Sequence, residues 1–279
     1  MAARGAAYDL EVTRAPGHAV ELARAAALAG ASVVVAAGGD GTVHEVANGL
    51  LRARETQAGG STALGLLPVG TGNDFVKVVP GAAKRVNAWN TLVHGTVRDF
   101  DAGFAEWQGG TEYFVNAAGT GIDVEVVRKL GTYRGRGGAL PYIAALLRAL
   151  GSYQPFALRI TADSAASERR VMTIAVANGR CIGGAFRICP DARPDDGRFD
   201  LCVVEDMALL RSLGTAAAIL RGRHTRHAAV HMSQATRVEL QVMGDARLFF
   251  QLDGELREPA GARTLALSLC KGVLPVVTA

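Results

Sequence analysis

Apolar positions along the first hundred residues fall into short runs that alternate between two periods. Residues 8–13 (YDLEVT) alternate apolar and polar, the period of a strand. Pro16-Gly17 marks a turn, and the alanine-rich segment 18–29 predicts a helix that Gly30 ends. Residues 32–37 (SVVVAA) and 63–68 (ALGLLP) are uninterrupted apolar runs, the pattern of strands buried on both faces. Between them 43–54 predicts a helix and 57–62 a loop; a helix over 86–94 and a strand near 97–101 follow. This alternation predicts a parallel sheet with helices on both faces.

Beyond residue 100 the strands crowd together, at 103–107, 112–118, 156–162, 170–178, 199–204, 236–241, 248–252 and 264–269. Helices interrupt them only at 123–130, 140–152 and 207–221, and the glycine-rich stretch 131–138 (GTYRGRGG) predicts a loop. The chain therefore divides into an α/β domain over 1–100 and a mainly antiparallel domain over 101–279. Its 279 residues suffice for two cores, and 49% apolar with 20% charged residues excludes general disorder. A net charge of +4 is too weak to argue for nucleic acid, and suits phosphates or anionic headgroups. The four cysteines lack Cys-x-x-Cys spacing and are expected as free thiols in a reducing cytoplasm. No secretory signal is expected at the start, and the longest uncharged apolar stretch, 25–39, is too short to span a bilayer.

The chemistry concentrates in two turns. Gly38-Gly39-Asp40-Gly41-Thr42 follows the first apolar run and opens a helix, where free backbone N–H groups favour phosphate. Thr42 is placed to cap that helix or bind a phosphate oxygen. Gly70-Thr71-Gly72-Asn73-Asp74-Phe75 follows the second run and adds Asn73 and Asp74, groups suited to a ribose, a phosphate or a metal. Neither this turn nor Gly119–Val124 has the third glycine of a dinucleotide fingerprint, and no Gly-Lys of a P-loop occurs. One such turn alone reads equally as a tight strand-to-helix connection; two in succession, each with a carboxylate, point to a nucleotide.

Together with Glu45, Asn48 and Gly49, these turns resemble the diacylglycerol kinase catalytic domain family, which includes bacterial lipid kinases and sphingosine kinases. The first turn also occurs in NAD kinases; the second is more selective for lipid kinases. The resemblance continues through Asn116–Asp123, Asn178-Gly179, Gly183-Gly184, Pro190-Asp191-Ala192, Asp195–Asp200 and Asp253-Gly254-Glu255. It implies an NAD kinase-like, Rossmann-type α/β domain and a β-sandwich domain whose last residues return to the first, with the active site in the cleft between them. It also implies an ATP-dependent lipid kinase, with diacylglycerol the first choice of acceptor. Glu255 would be the general base, Asp253 a supporting carboxylate, and Asp74 the residue near ATP and Mg²⁺. Gly38, Gly39, Asp40, Gly41, Thr42, Glu45, Gly70, Thr71, Gly72 and Asn73 would cradle the nucleotide. The expected partner is a lipid at the cytoplasmic membrane surface, met peripherally; a homodimer stays open. The rivals are a soluble small-molecule kinase of the NAD kinase type and a nucleotide-binding protein that has lost catalysis.

Other features keep two readings. Asp253-Gly254-Glu255 is also a hairpin signal. Asp195, Asp196 and Asp200 suit an ion or an Asp-rich turn. Arg128, Lys129, Arg134, Arg136 and Arg148 suit anionic headgroups or a solvated face. Phe156 and 142–147 suit a lipid pocket or plain core, and His224, His227 and His231 lack a completing carboxylate or thiol. Family members usually begin with one more strand and an Asn-Pro-rich glycine turn; this chain opens at what reads as the next strand.

Overall fold

A computed structural model describes residues 8–56, 61–130 and 140–279. The first half comprises α1 (His18–Leu28), β1 (Val33–Gly38), α2 (Asp40–Arg54), β2 (Ala63–Pro68), a single 3-10 turn Phe75–Val78, and α3 (Arg85–His94). β1 and β2 pair in parallel from Val33↔Ala63 to Gly38↔Pro68, so the two glycine turns leave the sheet at the same height. Side chains alternate across β2: Leu64 and Leu66 enter the core with α1 and α2, while Leu92 of α3 covers Gly65 on the other face. Ala19, Ala23 and Ala27 recur at helical spacing on the buried stripe of α1, and their small size lets α2 approach at Gly49.

The second half contains β3 (Thr96–Trp107), β4 (Gly110–Phe114), β5 (Ala117–Gly121), α4 (Ile122–Leu130), α5 (Leu140–Leu150), β6 (Phe156–Ala162), β7 (Ala165–Ala177), β8 (Phe199–Glu205), α6 (Leu209–Leu220), β9 (Val230–Ala235), β10 (Arg237–Val242), β11 (Phe250–Leu252), β12 (Glu255–Arg257) and β13 (Thr264–Thr278). These strands pair antiparallel throughout. Their inner faces enclose a sandwich core in which Phe114 stacks on Phe199 and Trp107 meets Phe250 edge-on. A further apolar layer lies outside β7 and β8, where α4, α5 and α6 contribute Val126, Ala145 and Ile219. β13 joins the halves: it runs antiparallel to β3 from Leu265↔Trp107 to Thr278↔Thr96, and Val276 also pairs in parallel with Leu64 of β2.

Several expectations need correction. Residues 8–13 form no strand, and Tyr8, Leu10 and Val12 are exposed, because alternation makes a strand only where a partner edge receives it. β1 is not buried on both faces: it lies at the end of the strand order, and only Ala36 is fully buried. α2 starts at Asp40, three residues early. The strands expected near 97–101 and at 103–107 are one, while 112–118 is broken at Val115-Asn116. β9 was unforeseen because its polar HMSQ core is half exposed. β13 runs on to Thr278 past an irregularity between Cys270 and Leu274. Residues 57–60 of the expected loop, and the glycine-rich stretch 131–138, lie outside the described residues. All four cysteines are free.

A Cβ at Gly49 would stand 2.8 Å from that of Ala23 and closer still to the Val20 carbonyl oxygen. Gly49→Ala is expected to cost about 1–3 kcal/mol by forcing α1 off α2. Gly214→Ala on α6, where nothing lies within 4 Å, should instead stabilise by about 1 kcal/mol. Urea unfolding of the two variants measures the contrast.

Candidate active site

The two glycine turns form one surface. Val69 and Gly70 donate backbone hydrogen bonds to the Gly38 carbonyl at 3.0 and 3.2 Å. A Cβ on Gly39 would lie 3.2 Å from Gly70 Cα, and one on Gly70 would overlap Gly39. Close approach, and not a left-handed backbone, therefore demands glycine at Gly39, whose φ is −98°. Thr42 is no cap: it sits inside the first turn of α2, and its side chain folds against Gly38.

Carboxylates converge here. Asp40 Oδ1 accepts the Asp74 N–H at 2.5 Å, and Oδ2 faces Gly72. Burial, then the charge of Asp74, raises the Asp40 pKa to about 6, against the opposing pull of the Asp74 N–H. Asp74 accepts Lys77 Nζ at 2.6 Å and the Gly184 N–H at 2.9 Å, while Lys77 also donates to the Gly184 carbonyl at 2.6 Å. Asp74 thus fastens the second turn to the 183–184 loop of the second half. Asn73, at φ 50°, donates Nδ2 to the Gly70 carbonyl, and its buried Oδ1 has no protein partner. Thr71 is exposed at the mouth. From the far end of the chain, Glu255 places Oε1 2.8 Å from where a Gly41 Cβ would stand.

A cavity of about 370 Å³ begins at Asp40, Asp74 and Glu255 and continues between α4, α5 and α6, against β7 and β8. Its deeper wall is apolar, with Val126, Leu146, Met172, Met207 and Ile219. Among its deeper residues Asp123 is acidic. Burial raises its pKa to about 6, against hydrogen bonds from Thr173 and Gln251. Tyr142 stands at the junction, and burial, followed by the charges of Asp40, Asp74 and Glu255, raises its pKa.

Comparison with known proteins accounts for this arrangement. The diacylglycerol kinase catalytic domain matches residues 1–105, and the YegS C-terminal NAD kinase beta sandwich-like domain matches 116–278. The diacylglycerol kinase of Bacillus subtilis is 33% identical over 250 residues, covering 87% of this chain and 77% of that protein. The chain belongs to the diacylglycerol kinase family of lipid kinases. A Xanthomonas euvesicatoria protein named "Probable lipid kinase YegS-like" is 31% identical over 257 residues, covering 90% of this chain and 81% of its own. The crystal structure of a diacylglycerol kinase from Bacillus anthracis shares the fold, with TM-score 0.69 at 20% identity over 96% of this chain and 83% of that one.

Not every family-motif residue faces the cleft of this lipid kinase family member. Glu45, expected at the nucleotide, accepts the Gly17 and Ala19 N–H groups and anchors the start of α1. Asn48 pins β4 to α2 through Tyr113. Asp253, expected as a supporting carboxylate, has both oxygens engaged: Oδ1 accepts the Asn116 and Ala117 N–H groups, and Oδ2 accepts Val115 N–H and faces His44. Its left-handed backbone, φ 52°, aims the carboxylate inward while the chain turns toward Glu255. His44, Glu112 and Asp123 were missed as site residues, whereas 142–147, read as lipid pocket or plain core, supplies Tyr142 and Leu146 to the cavity. The one available signal was the spacing of His44, one helical turn from Asp40.

The remaining candidates disperse. Asp195 pairs with Arg98, Asp196 accepts the Arg198 N–H, and Asp200 faces Gln234. His224 is buried against the Ile188 carbonyl, and His231 lies beside Glu205. No three potential ligands among the described residues group around a metal position. Arg128 is held by Glu125 and Glu258, while Arg134 and Arg136 lie outside the described residues. Phe156 packs in the sandwich core and not on the cavity. No helix among the described residues is long and apolar enough to cross a membrane.

Asp253→Asn replaces an acceptor with a donor against buried N–H groups. It is expected to cost about 3–5 kcal/mol, read by urea unfolding at neutral pH.

Proposed function

We propose that the protein transfers the γ-phosphate of ATP to the hydroxyl of a diacylglycerol-like lipid, whose acyl chains occupy the apolar cavity. The observation that carries this reading is the cavity itself: an apolar recess whose mouth is the carboxylate cluster between two glycine turns. A soluble acceptor such as a dinucleotide has no use for a wall of Val126, Leu146, Met172 and Ile219. The name of the Bacillus subtilis relative supports diacylglycerol as first choice.

In this reading backbone N–H groups of the two turns other than those of Val69, Gly70 and Asp74, which are engaged within the protein, hold the phosphates, and Asn73 Oδ1 accepts a hydrogen bond from the nucleotide. Asp40, whose Oδ2 faces Gly72, and Asp74, whose carboxylate also accepts Lys77, would be the oxygen donors to Mg²⁺, which would supply charge neutralisation on the transferring group. Glu255 lies beside Gly41 and accepts the proton of the lipid hydroxyl as its oxygen bonds to the γ-phosphorus and the bond from that phosphorus to the ADP oxygen breaks, releasing ADP. Leu147 and Leu210, 54% and 82% exposed on helices that line the cavity, give the cavity rim an apolar contact with the cytoplasmic membrane surface.

The test is a labelled-ATP assay with Mg²⁺ over diacylglycerol, sphingoid base and phosphatidylglycerol micelles, with NAD as the soluble arm. Label in a lipid is expected; label in NAD alone overturns the reading. Glu255→Gln should lower turnover by about 10²–10⁴-fold with ATP affinity unchanged. Ala216→Trp, which fills the cavity, should raise KM for lipid and leave KM for ATP alone, as steady-state kinetics will measure.

A further inference from the structure

Beneath the Asp253-Gly254-Glu255 turn runs a chain of four charged side chains from three parts of the fold. Arg257 of β12 grips Glu112 of β4 with two hydrogen bonds, Nε to Oε2 at 2.7 Å and Nη2 to Oε1 at 2.6 Å. Glu112 Oε1 lies 2.9 Å from His44 Nε2, and His44 Nδ1 lies 2.9 Å from Asp253 Oδ2. The His44 and Asp253 side chains are each 2% exposed.

Each imidazole nitrogen therefore faces a carboxylate oxygen. A neutral imidazole has one N–H, so one of its nitrogens would set a lone pair against a carboxylate lone pair in a buried place. Only the doubly protonated ring donates both hydrogen bonds. Burial disfavours that charge, but the hydrogen bonds to Asp253 and Glu112 and their charges outweigh it, raising the His44 pKa to about 9. The same contacts act on Glu112: burial would raise its pKa, yet His44 and Arg257 hold it down at about 2. Charge balance agrees, since Arg257 and His44 offset Glu112 and Asp253. Asp40, one turn earlier on α2, Asp74 of the second turn and Glu255 of β12 add further negative charge nearby. Arg52, farther along α2, turns instead to the Thr111 carbonyl.

We propose that His44 is a positioning residue for phosphoryl transfer: its imidazolium ties α2, and with it the first glycine turn, to the Asp253-Gly254-Glu255 turn, and so sets Glu255 against Gly41. His44 never meets substrate, because both nitrogens are engaged and the ring is enclosed. Its effect on turnover rests on the kinase reading above; the protonation state and the tie do not.

The sign follows from the raised pKa. The stabilisation is complete below about pH 6.5 and is lost as pH rises through about 9. Nitrogen-15 NMR of the full chain, labelled at histidine, reads the ring directly. Both His44 nitrogens should stay protonated at neutral pH and titrate near pH 9. A neutral tautomer at neutral pH overturns the proposal, whatever reaction the protein performs. His44→Gln, which keeps bulk and polarity without charge, should lower kcat at least roughly tenfold with KM for ATP within about twofold. It should also abolish the loss of kcat that the wild type shows as His44 deprotonates. A His44→Gln enzyme that keeps wild-type kcat and the same alkaline limb overturns it equally. Absence of any phosphoryl transfer by the wild type would sink the kinase reading alone, and the tie would still be decided by NMR and by amide exchange. There, the Val115, Asn116 and Ala117 amides should exchange at least about tenfold faster in His44→Gln; unchanged rates overturn the tie.

Discussion

The in-register parallel pairing of β1 with β2 is the constraint on which the site depends. Gly38 opposite Pro68 brings both strands to their carboxyl ends together, and the Gly38 carbonyl then receives the N–H groups of Val69 and Gly70. Parallel strands in an α/β sheet bind ligands at this edge because helix N-termini and free backbone amides gather there. What distinguishes this molecule is how closely the turns meet. With glycine on both sides, two loops that would otherwise flank a ligand become a single concave surface, and Asp40 of one holds the backbone of Asp74 in the other.

From that surface the acidic and apolar parts of the site follow in order. Asp74 reaches across to Gly184, closing the second half of the molecule onto the turn. Glu255 arrives on a short hairpin in which three backbone amides hold the Asp253 carboxylate and Gln251 accepts the Gly254 N–H. The cavity then opens sideways beneath the helices of the second half, so its lining passes from carboxylates at the mouth to apolar side chains inside. The fold thereby brings together residues more than two hundred positions apart in the chain, as Glu255 beside Gly41.

Much of this was legible in the sequence, for a physical reason. A strand buried inside a sheet is a short apolar run, so 63–68 could be bounded correctly, and 156–162 shows the other strand pattern, with buried Leu158 and Ile160 alternating with exposed Ala157 and Arg159. Glycine turns after apolar runs announced the edge where Asp40 and Asp74 meet. Where the reading failed, the missing information was tertiary. The alternation at 8–13 describes a face and not the edge that would accept it. Glu45 and Asp253 sit in the motif as visibly as Asp40 and Glu255, yet one caps a helix and the other braces a turn. A motif marks residues the fold needs in place without separating those that touch a ligand from those that hold the ones that do. His44 showed in the sequence only by its spacing from Asp40, and its role emerges once Glu112 and Asp253 stand on its two sides.

The long ribbon of β3 and β13 bears on how such a cleft can work. Because β13 pairs with β3 along both halves and touches β2 at Val276, the halves share a hydrogen-bonded spine in place of a single linker. Rotating one half against the other means flexing that spine, and its natural pivot is the irregularity between Cys270 and Leu274, where the ladder is already interrupted. Between the halves the stiffer restraint therefore lies along the β3–β13 ladder, and the lighter one at the Gly183-Gly184 loop, which polar bonds of Asp74 and Lys77 hold to the second turn.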